Sequence, residues 1–174
     1  ATLRRRQYTG NTAMPQQHLR VTALRGSCRD LPYCRHSVPP AYVAPTSGVA
    51  TKYLARKDAK VMGLLGSGEQ ARTQLTAALA VRPLEKVKVY SPTPKNREKF
   101  AREMSAQCAA EIIPVASAEE AIRGSDIVTA ATNTVEPVVV GRWLEEGAHV
   151  NSIVGGDGYL PRRELDDEAI KRAG

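Results

Sequence analysis

Cysteine, aromatic residues and long apolar runs are all scarce in this chain, and each scarcity removes a class of protein. Three cysteines among 174 residues, an odd number, do not form the paired framework of a small secreted domain. Reduced thiols and a cytoplasmic location are expected instead, with a Cys28–Cys34 bond kept as the alternative. No window approaches the ~18 uncharged apolar residues that a membrane-spanning helix needs, so a transmembrane class is excluded. Acid is nearly missing from the first third. Residues 1–60 hold eleven basic residues against Asp30 and Asp58, a net of +9, whereas the remainder nets −2. The near-neutral body has no nucleic-acid footprint. With aromatics at 5% and no reading helix beside it, Arg4-Arg5-Arg6 reads as a solvated tail.

What is present divides the chain into three parts. Residues 1–45 are a basic, proline-containing segment with no sustained period of 2 or 3.6, and no packed element is assigned to them. Cys28, Cys34 and His36 stand in a C-x5-C-x-H spacing that lacks a fourth ligand, so no metal site is expected. Residues 46–168 alternate between strand and helix patterns, as an NAD(P)-binding domain would, and residues 169–174 are expected to be the start of a truncated C-terminal helix.

Thr46 or Ser47 is placed to cap a lead-in helix whose apolar positions Val49, Ala50, Tyr53 and Leu54 recur on one face. Lys60 to Gly66 is a short apolar run ending at glycine, the pattern of a strand buried on both sides. Residues 69–82 predict a helix with Ala71, Leu75, Ala78 and Leu79 inward, stopping before Pro83. Glu85 to Ser91 alternates as a strand, Lys95 to Gln107 predicts a helix with Phe100 and Met104 inward, and Glu111 to Val115 predicts a strand. A short helix capped by Ser117 follows, then a strand over Asp126–Ala131, extended segments at Pro137–Val140 and Ala148–Val154, and a helix from Glu164. Such alternation predicts an α/β fold with a Rossmann-type doubly wound, mostly parallel sheet. Right-handed crossovers then bring the carboxyl ends of the strands to one ligand-binding edge.

At the first of those ends stands Gly66-Ser67-Gly68-Glu69-Gln70-Ala71, a G-x-G-x-x-A run between strand and helix. Gly66 permits the tight turn, Gly68 lets a pyrophosphate approach the backbone, and Ala71 lets helix and strand pack closely. The helix N-terminus adds unpaired N–H groups and about half a positive charge. The alternative for so short a run is a flexible loop or a site for another nucleotide-type ligand. The end of the second strand decides which dinucleotide is expected. It reads Tyr90-Ser91-Pro92-Thr93, without the acid that an NAD site offers to the ribose hydroxyls, and Lys95 and Arg97 follow. These groups welcome a 2′-phosphate, so NADP is expected over NAD.

The runs GLLGSGEQARTQL, KVKVYSPTPKNREKFAREM, GSDIVTAATNTVEPVV and GAHVNSIVGGDGYLPRRELDD, in this order, make residues 47–168 resemble the ornithine cyclodeaminase/mu-crystallin family. The resemblance implies an NAD(P)-dependent oxidoreductase that acts on an amino acid or cyclic imine, as a cyclodeaminase, ketimine reductase or alanine dehydrogenase. It also implies a homodimer for a full-length parent. A non-catalytic protein that holds NADPH and a small ligand, of the mu-crystallin type, stays open as the alternative. Carried over by motif, Gly66, Gly68, Glu69 and Gln70 lie along the pyrophosphate, and Ser91, Thr93 and Arg97 near the adenosine ribose; Ser67 within the glycine run and Lys95 after the second strand are added as cofactor-binding by position. Thr132 and Asn133 lie under the cofactor, and Asp157 matches the active-site acid that exchanges protons with the substrate amine. Gly155-Gly156-Asp157-Gly158 is also a good turn, and that reading of Asp157 stands beside the catalytic one. His149, within a strand pattern, is expected to be a packed side chain rather than a base. The family's substrate domain is largely unmatched, and the stretch before Thr46 is expected to reflect a truncation, an altered gene model or a shifted frame.

Overall fold

The structure, a computed structural model, describes residues 20–23, 40–153 and 162–173. Among these residues six strands form one sheet: β1 (Arg20–Ala23), β2 (Val61–Leu65), β3 (Lys86–Tyr90), β4 (Glu111–Pro114), β5 (Ile127–Ala130) and β6 (His149–Ser152). Their order is β1-β6-β5-β2-β3-β4 and every pairing is parallel. Helices α1 (Pro40–Leu54), α2 (Glu69–Val81), α3 (Pro94–Ser105) and α4 (Ala118–Ile122) lie between strands, and α5 (Asp167–Lys171) follows β6. The chain winds outward from β2 to β4 and then returns to β5 on the other side of β2. The order therefore reverses between β2 and β5, whose carboxyl ends flank the topological switch point where such sheets bind ligands.

Strand alternation builds a core on each face of the sheet. Met62 and Leu64 of β2, Val87 and Val89 of β3 and Ile127 of β5 pack with Ala71, Leu75 and Ala78 of α2 and with Phe100 and Met104 of α3. Leu65, Val128, Ala130 and Val150 point the other way, to Ala121 and Ile122 of α4, to Leu144 and to Ala169 of α5. A strand covered on both faces needs the continuous apolar run that VMGLL supplies. The expected strands and helices from Lys60 to Gln107 are all present to within two residues, and Ser117 caps α4 by accepting the Glu120 N–H at 3.1 Å. The expected Pro137–Val140 strand is reduced to one parallel bridge, Val139 to Leu165.

Two segments differ from expectation. Residues 1–45, to which no packed element was assigned, contribute the edge strand β1 and the first turns of α1. Helix α1 starts at Pro40, so neither Thr46 nor Ser47 caps it, and its buried face is Ala44, Ser47, Gly48, Thr51 and Ala55. Val49 and Tyr53, the expected inward residues, are 57% and 72% exposed. Small residues win the inner face because α1 lies close on α2: a Cβ on Gly48 would stand 3.3 Å from the Ala77 Cβ. Thr51 also suits the polar face of β6 beneath it, where the buried Asn151 amide donates to its hydroxyl at 3.0 Å.

The end of α1 is held by a side chain from beyond α2. Buried Arg82 donates to the carbonyls of Lys52 and Ala55 at 2.8 Å each and, through Nε, to that of Arg56 at 2.8 Å. One guanidinium thus serves carbonyl groups that the helix leaves unpaired at its C-terminus. Arg82→Met keeps the aliphatic bulk and leaves those carbonyls without the donor. It is expected to lower unfolding free energy in urea by about 3 kcal/mol, the scale of charged hydrogen bonds lost from an interior. Arg82→Lys, a single point donor without the planar fork, is expected to recover less than half of that. Full stability in Arg82→Met would show that α1 is held by packing alone.

Candidate functional site

Strand β2 runs out at Leu65, and the parallel ladder carries one residue further, with the Gly66 N–H donating to the Tyr90 carbonyl at 2.8 Å. Gly66 has φ +115°, and a Cβ on it would stand 2.3 Å from the Ala131 carbonyl oxygen. Glycine is demanded twice there, by the backbone and by the loop leaving β5. Gly68 is a different case. Its φ of −86° and ψ of −169° suit any residue, and among the described residues a Cβ on it would meet no atom within 4 Å. The fold does not need glycine at 68, and the missing side chain instead clears the approach to the N-terminus of α2. Gly68 is the N-cap of that 13-residue helix and gives it no side-chain cap. Its first N–H groups thus lack a side-chain cap from this position, and the positive dipole end lies beside the space that Gly68 leaves open. Ser67 and Gln70 are half-buried, Glu69 is exposed, and Ala71 is fully buried against the sheet. Arg72 turns aside: it pairs with Glu103 and lies 5.2 Å over the Phe100 ring, tying α2 to α3.

Beside this loop, β3 ends at Tyr90. Ser91 is buried, Thr93 is the exposed N-cap of α3, and Lys95 is exposed in its first turn. Half-buried Arg97 donates through its guanidinium to the Ser91 carbonyl at 3.0 Å, bracing the loop that joins β3 to α3. Lys95 and Arg97 thus lie at the β3 edge of the switch point, with no carboxylate between Tyr90 and Arg97.

Across the switch point, the loop after β5 carries Thr132, half-buried, and Asn133, exposed. Both donors of Thr132 go to one oxygen: its N–H and its hydroxyl meet Glu164 Oε1 at 2.7 and 2.8 Å. Glu164 is 2% exposed, and its Oε2 accepts the Ser152 hydroxyl at 2.8 Å and the Ile153 N–H at 3.1 Å. A buried carboxylate needs such partners. This one ties together the loops that leave β5 and β6. In the sequence Glu164 is only part of the R-E-L-D run; nothing in Glu164-Leu165-Asp166-Asp167-Glu168 marks it off from the acids that follow it.

His149 is fully buried on β6, with Nε2 3.1 Å from the Asn151 Oδ1, a packed side chain as expected. Asp157 lies outside the described residues, as do Cys28, Cys34 and His36. A groove of about 640 Å³ runs along α1 and α2, lined by Val49, Lys52, Arg72, Thr76 and Met104, and it shares Glu69 with the glycine loop. It does not include Gly66, Gly68, Ser91 or Thr132. The strand-end crevice is the better candidate because helix dipole, glycine turn and switch point converge on it.

Comparison with known proteins agrees with this geometry. The family model for the ornithine cyclodeaminase/mu-crystallin family matches residues 41–174. The chain is similar to Delta(1)-pyrroline-2-carboxylate reductase of Thermococcus litoralis, solved in complex with NADH and L-proline. That similarity is 52% identity and a TM-score of 0.72, covering 76% of this chain and 40% of that one. It is 42% identical over 128 residues to alanine dehydrogenase of Archaeoglobus fulgidus, covering 72% of this chain and 38% of the relative. It is 32% identical over 128 residues to ketimine reductase mu-crystallin of Macropus fuliginosus, covering 74% and 39%. The chain spans roughly two fifths of the length of these relatives. With the glycine turn, the parallel doubly wound sheet and the family match in agreement, this chain belongs to the ornithine cyclodeaminase/mu-crystallin family.

Proposed function

We propose that this chain is the dinucleotide-binding unit of an oxidoreductase that acts on a small amino acid or cyclic imine. The observation that carries the reading is Gly68, whose lack of a side chain serves no protein contact and clears the uncapped start of α2. The relatives, whose names denote reductases and a dehydrogenase of amino and imino acids, support the same class of reaction. Bound nicotinamide supplies or takes a hydride at the amino-bearing carbon. The chain's part is to hold and orient: Gly66, Ser67, Gly68, Glu69 and Gln70 border the pyrophosphate, and Ser91, Thr93, Lys95 and Arg97 border the adenosine ribose. Thr132 and Asn133 support the other half. Asp157 exchanges a proton with the substrate amine as its charge changes.

For the cofactor we favour NADP over NAD, because cations and hydroxyls rather than a carboxylate follow β3. Paired titrations with NADPH and NADH, followed by the quenching of Trp143 or by calorimetry, test both claims. Tighter NADPH binding supports the preference, tighter NADH binding ends it, and no binding of either ends the functional reading. Lys95→Glu, on an exposed side chain, is expected to weaken NADPH by about fivefold and NADH by less than twofold, the scale of one exposed charge contact.

A second reading, a protein that holds cofactor and small ligand without turnover, draws on one feature. The buried acid at the rim, Glu164, is engaged through both oxygens and has a structural task. Incubation with NADPH and a cyclic ketimine, or with pyruvate and ammonia, separates the two. Steady loss of NADPH absorbance supports the enzyme, and saturable binding without loss supports the holder.

A further inference from the structure

We infer that Glu164 is a positioning residue that gives the β5 rim a hydrogen-bond-accepting character, fitted to the donor-bearing nicotinamide half of a dinucleotide. The inference rests on the function proposed above and adds to it a residue and a chemical polarity.

A threonine hydroxyl has one proton to give and two lone pairs to offer. At Thr132 that proton is committed to Glu164 Oε1 at 2.8 Å, and the N–H of the same residue is committed to the same oxygen at 2.7 Å. Thr132, half-buried at the rim, therefore has lone pairs and no donor to turn outward. Glu164 holds this arrangement rigidly. Its Oε2 accepts the Ser152 hydroxyl at 2.8 Å and shares the Ile153 N–H with the Ala130 carbonyl, at 3.1 and 3.3 Å. Its own carbonyl accepts the N–H groups of Val138 and Val139 at 2.9 and 2.8 Å. The carboxylate is thus anchored through backbone and side chain, and the loop after β5 has one defined position relative to β6.

The two sides of the switch point are of opposite character. On the β2 side, the uncapped first turn of α2 offers N–H donors, which suit phosphate oxygens. On the β5 side, Thr132 offers acceptors, which oppose a phosphate or carboxylate and suit a hydroxyl or an amide NH2. A doubly wound sheet lays one mononucleotide half on each side of this point. The half that bears donors, a ribose and a carboxamide, belongs over β5, and Glu164 is the group that sets that preference.

The test compares each dinucleotide with its own adenine-side fragment, on the full chain: NADPH against adenosine 2′,5′-bisphosphate, and NADH against ADP. Glu164→Gln puts an NH2 group where one loop now finds an acceptor, so the Thr132 hydroxyl loses its fixed orientation. The expected result is a loss of about tenfold in dinucleotide affinity, the worth of one hydrogen bond, with fragment affinity within twofold. An equal loss for fragment and dinucleotide overturns the inference in favour of general support of the fold, and no loss for either overturns it outright. If Glu164→Gln does not fold, Thr132→Val and Thr132→Ser decide. Valine is expected to show the same selective loss and serine to bind as the unmodified chain does; a valine variant that binds normally overturns the inference. An unmodified chain that binds neither fragment nor dinucleotide overturns the function proposed above, and this inference with it.

Discussion

Gly68→Ala is expected to weaken dinucleotide binding by about 10- to 100-fold, while thermal unfolding of the ligand-free chain stays within about 2 °C. The two halves of this expectation come from one observation. Among the described residues a Cβ on Gly68 meets no atom within 4 Å, and the backbone conformation there is open to any L residue, so the folded chain bears almost no cost. A methyl group forced between the helix start and a pyrophosphate costs about 1–3 kcal/mol, the range for inserting bulk into a filled site. Every ~1.4 kcal/mol is a factor of ten in affinity. Calorimetric titration beside a melting curve measures both. Unchanged affinity would remove the main support for a pyrophosphate at this turn, and loss of affinity together with loss of fold would show that Gly68 is structural after all.

Gly66→Ala is expected to do the opposite, unfolding the chain far more easily whether or not ligand is present. A φ of +115° lies where L side chains are strained, at about 1–3 kcal/mol. The added Cβ would also stand 2.3 Å from the Ala131 carbonyl oxygen, a backbone atom that cannot move without displacing the loop after β5. Adding about 1–3 kcal/mol for that overlap gives a loss near 4 kcal/mol. For a chain of this size that corresponds to a fall of roughly 8–16 °C in Tm. Differential scanning calorimetry of the variant checks it. A melting temperature within 2 °C of the unmodified chain would mean that the turn relaxes freely and that Gly66 is not the pivot of the crevice.

The contrast between these two glycines was partly legible beforehand. The G-x-G-x-x-A spacing assigned the turn to Gly66 and ligand clearance to Gly68, and the first of these roles has its physical basis in the positive φ. The run from β2 to α3 was readable because buried parallel strands and amphipathic helices have distinct periods, and each element is set by residues adjacent in sequence. Helix α1 departs from its sequence pattern for the converse reason, that its inner face is set by residues distant in sequence. Its pattern of Val49, Tyr53 and Leu54 looks like a buried face, and only the closeness of α2 and the polar groups of β6 favour the small residues on the other side. Strand β1 is four residues at a sheet edge, too short to show a period. Glu164 was out of reach because its meaning lies with Thr132, 32 residues earlier, and Ser152, 12 residues earlier. Arg82 belongs to the same class: its partners at Lys52 and Ala55 lie in another helix.

The all-parallel sheet has a kinetic corollary. Parallel neighbours cannot be joined by a tight hairpin, so each pairing waits for a crossover to form, and loop-closure entropy is spent before the contact rewards it. One of the distant meetings, exceeded in sequence separation by that of β1 with β6, is the one between β2 and β5, where the Asp126 carboxylate receives the N–H groups of Lys60, 66 residues away, and Val61. A nascent chain can complete β2, α2 and β3 with no crevice in existence, because one wall of it has not yet been synthesised. The switch point is assembled late, and its appearance marks the moment when the two halves of the sheet have found each other.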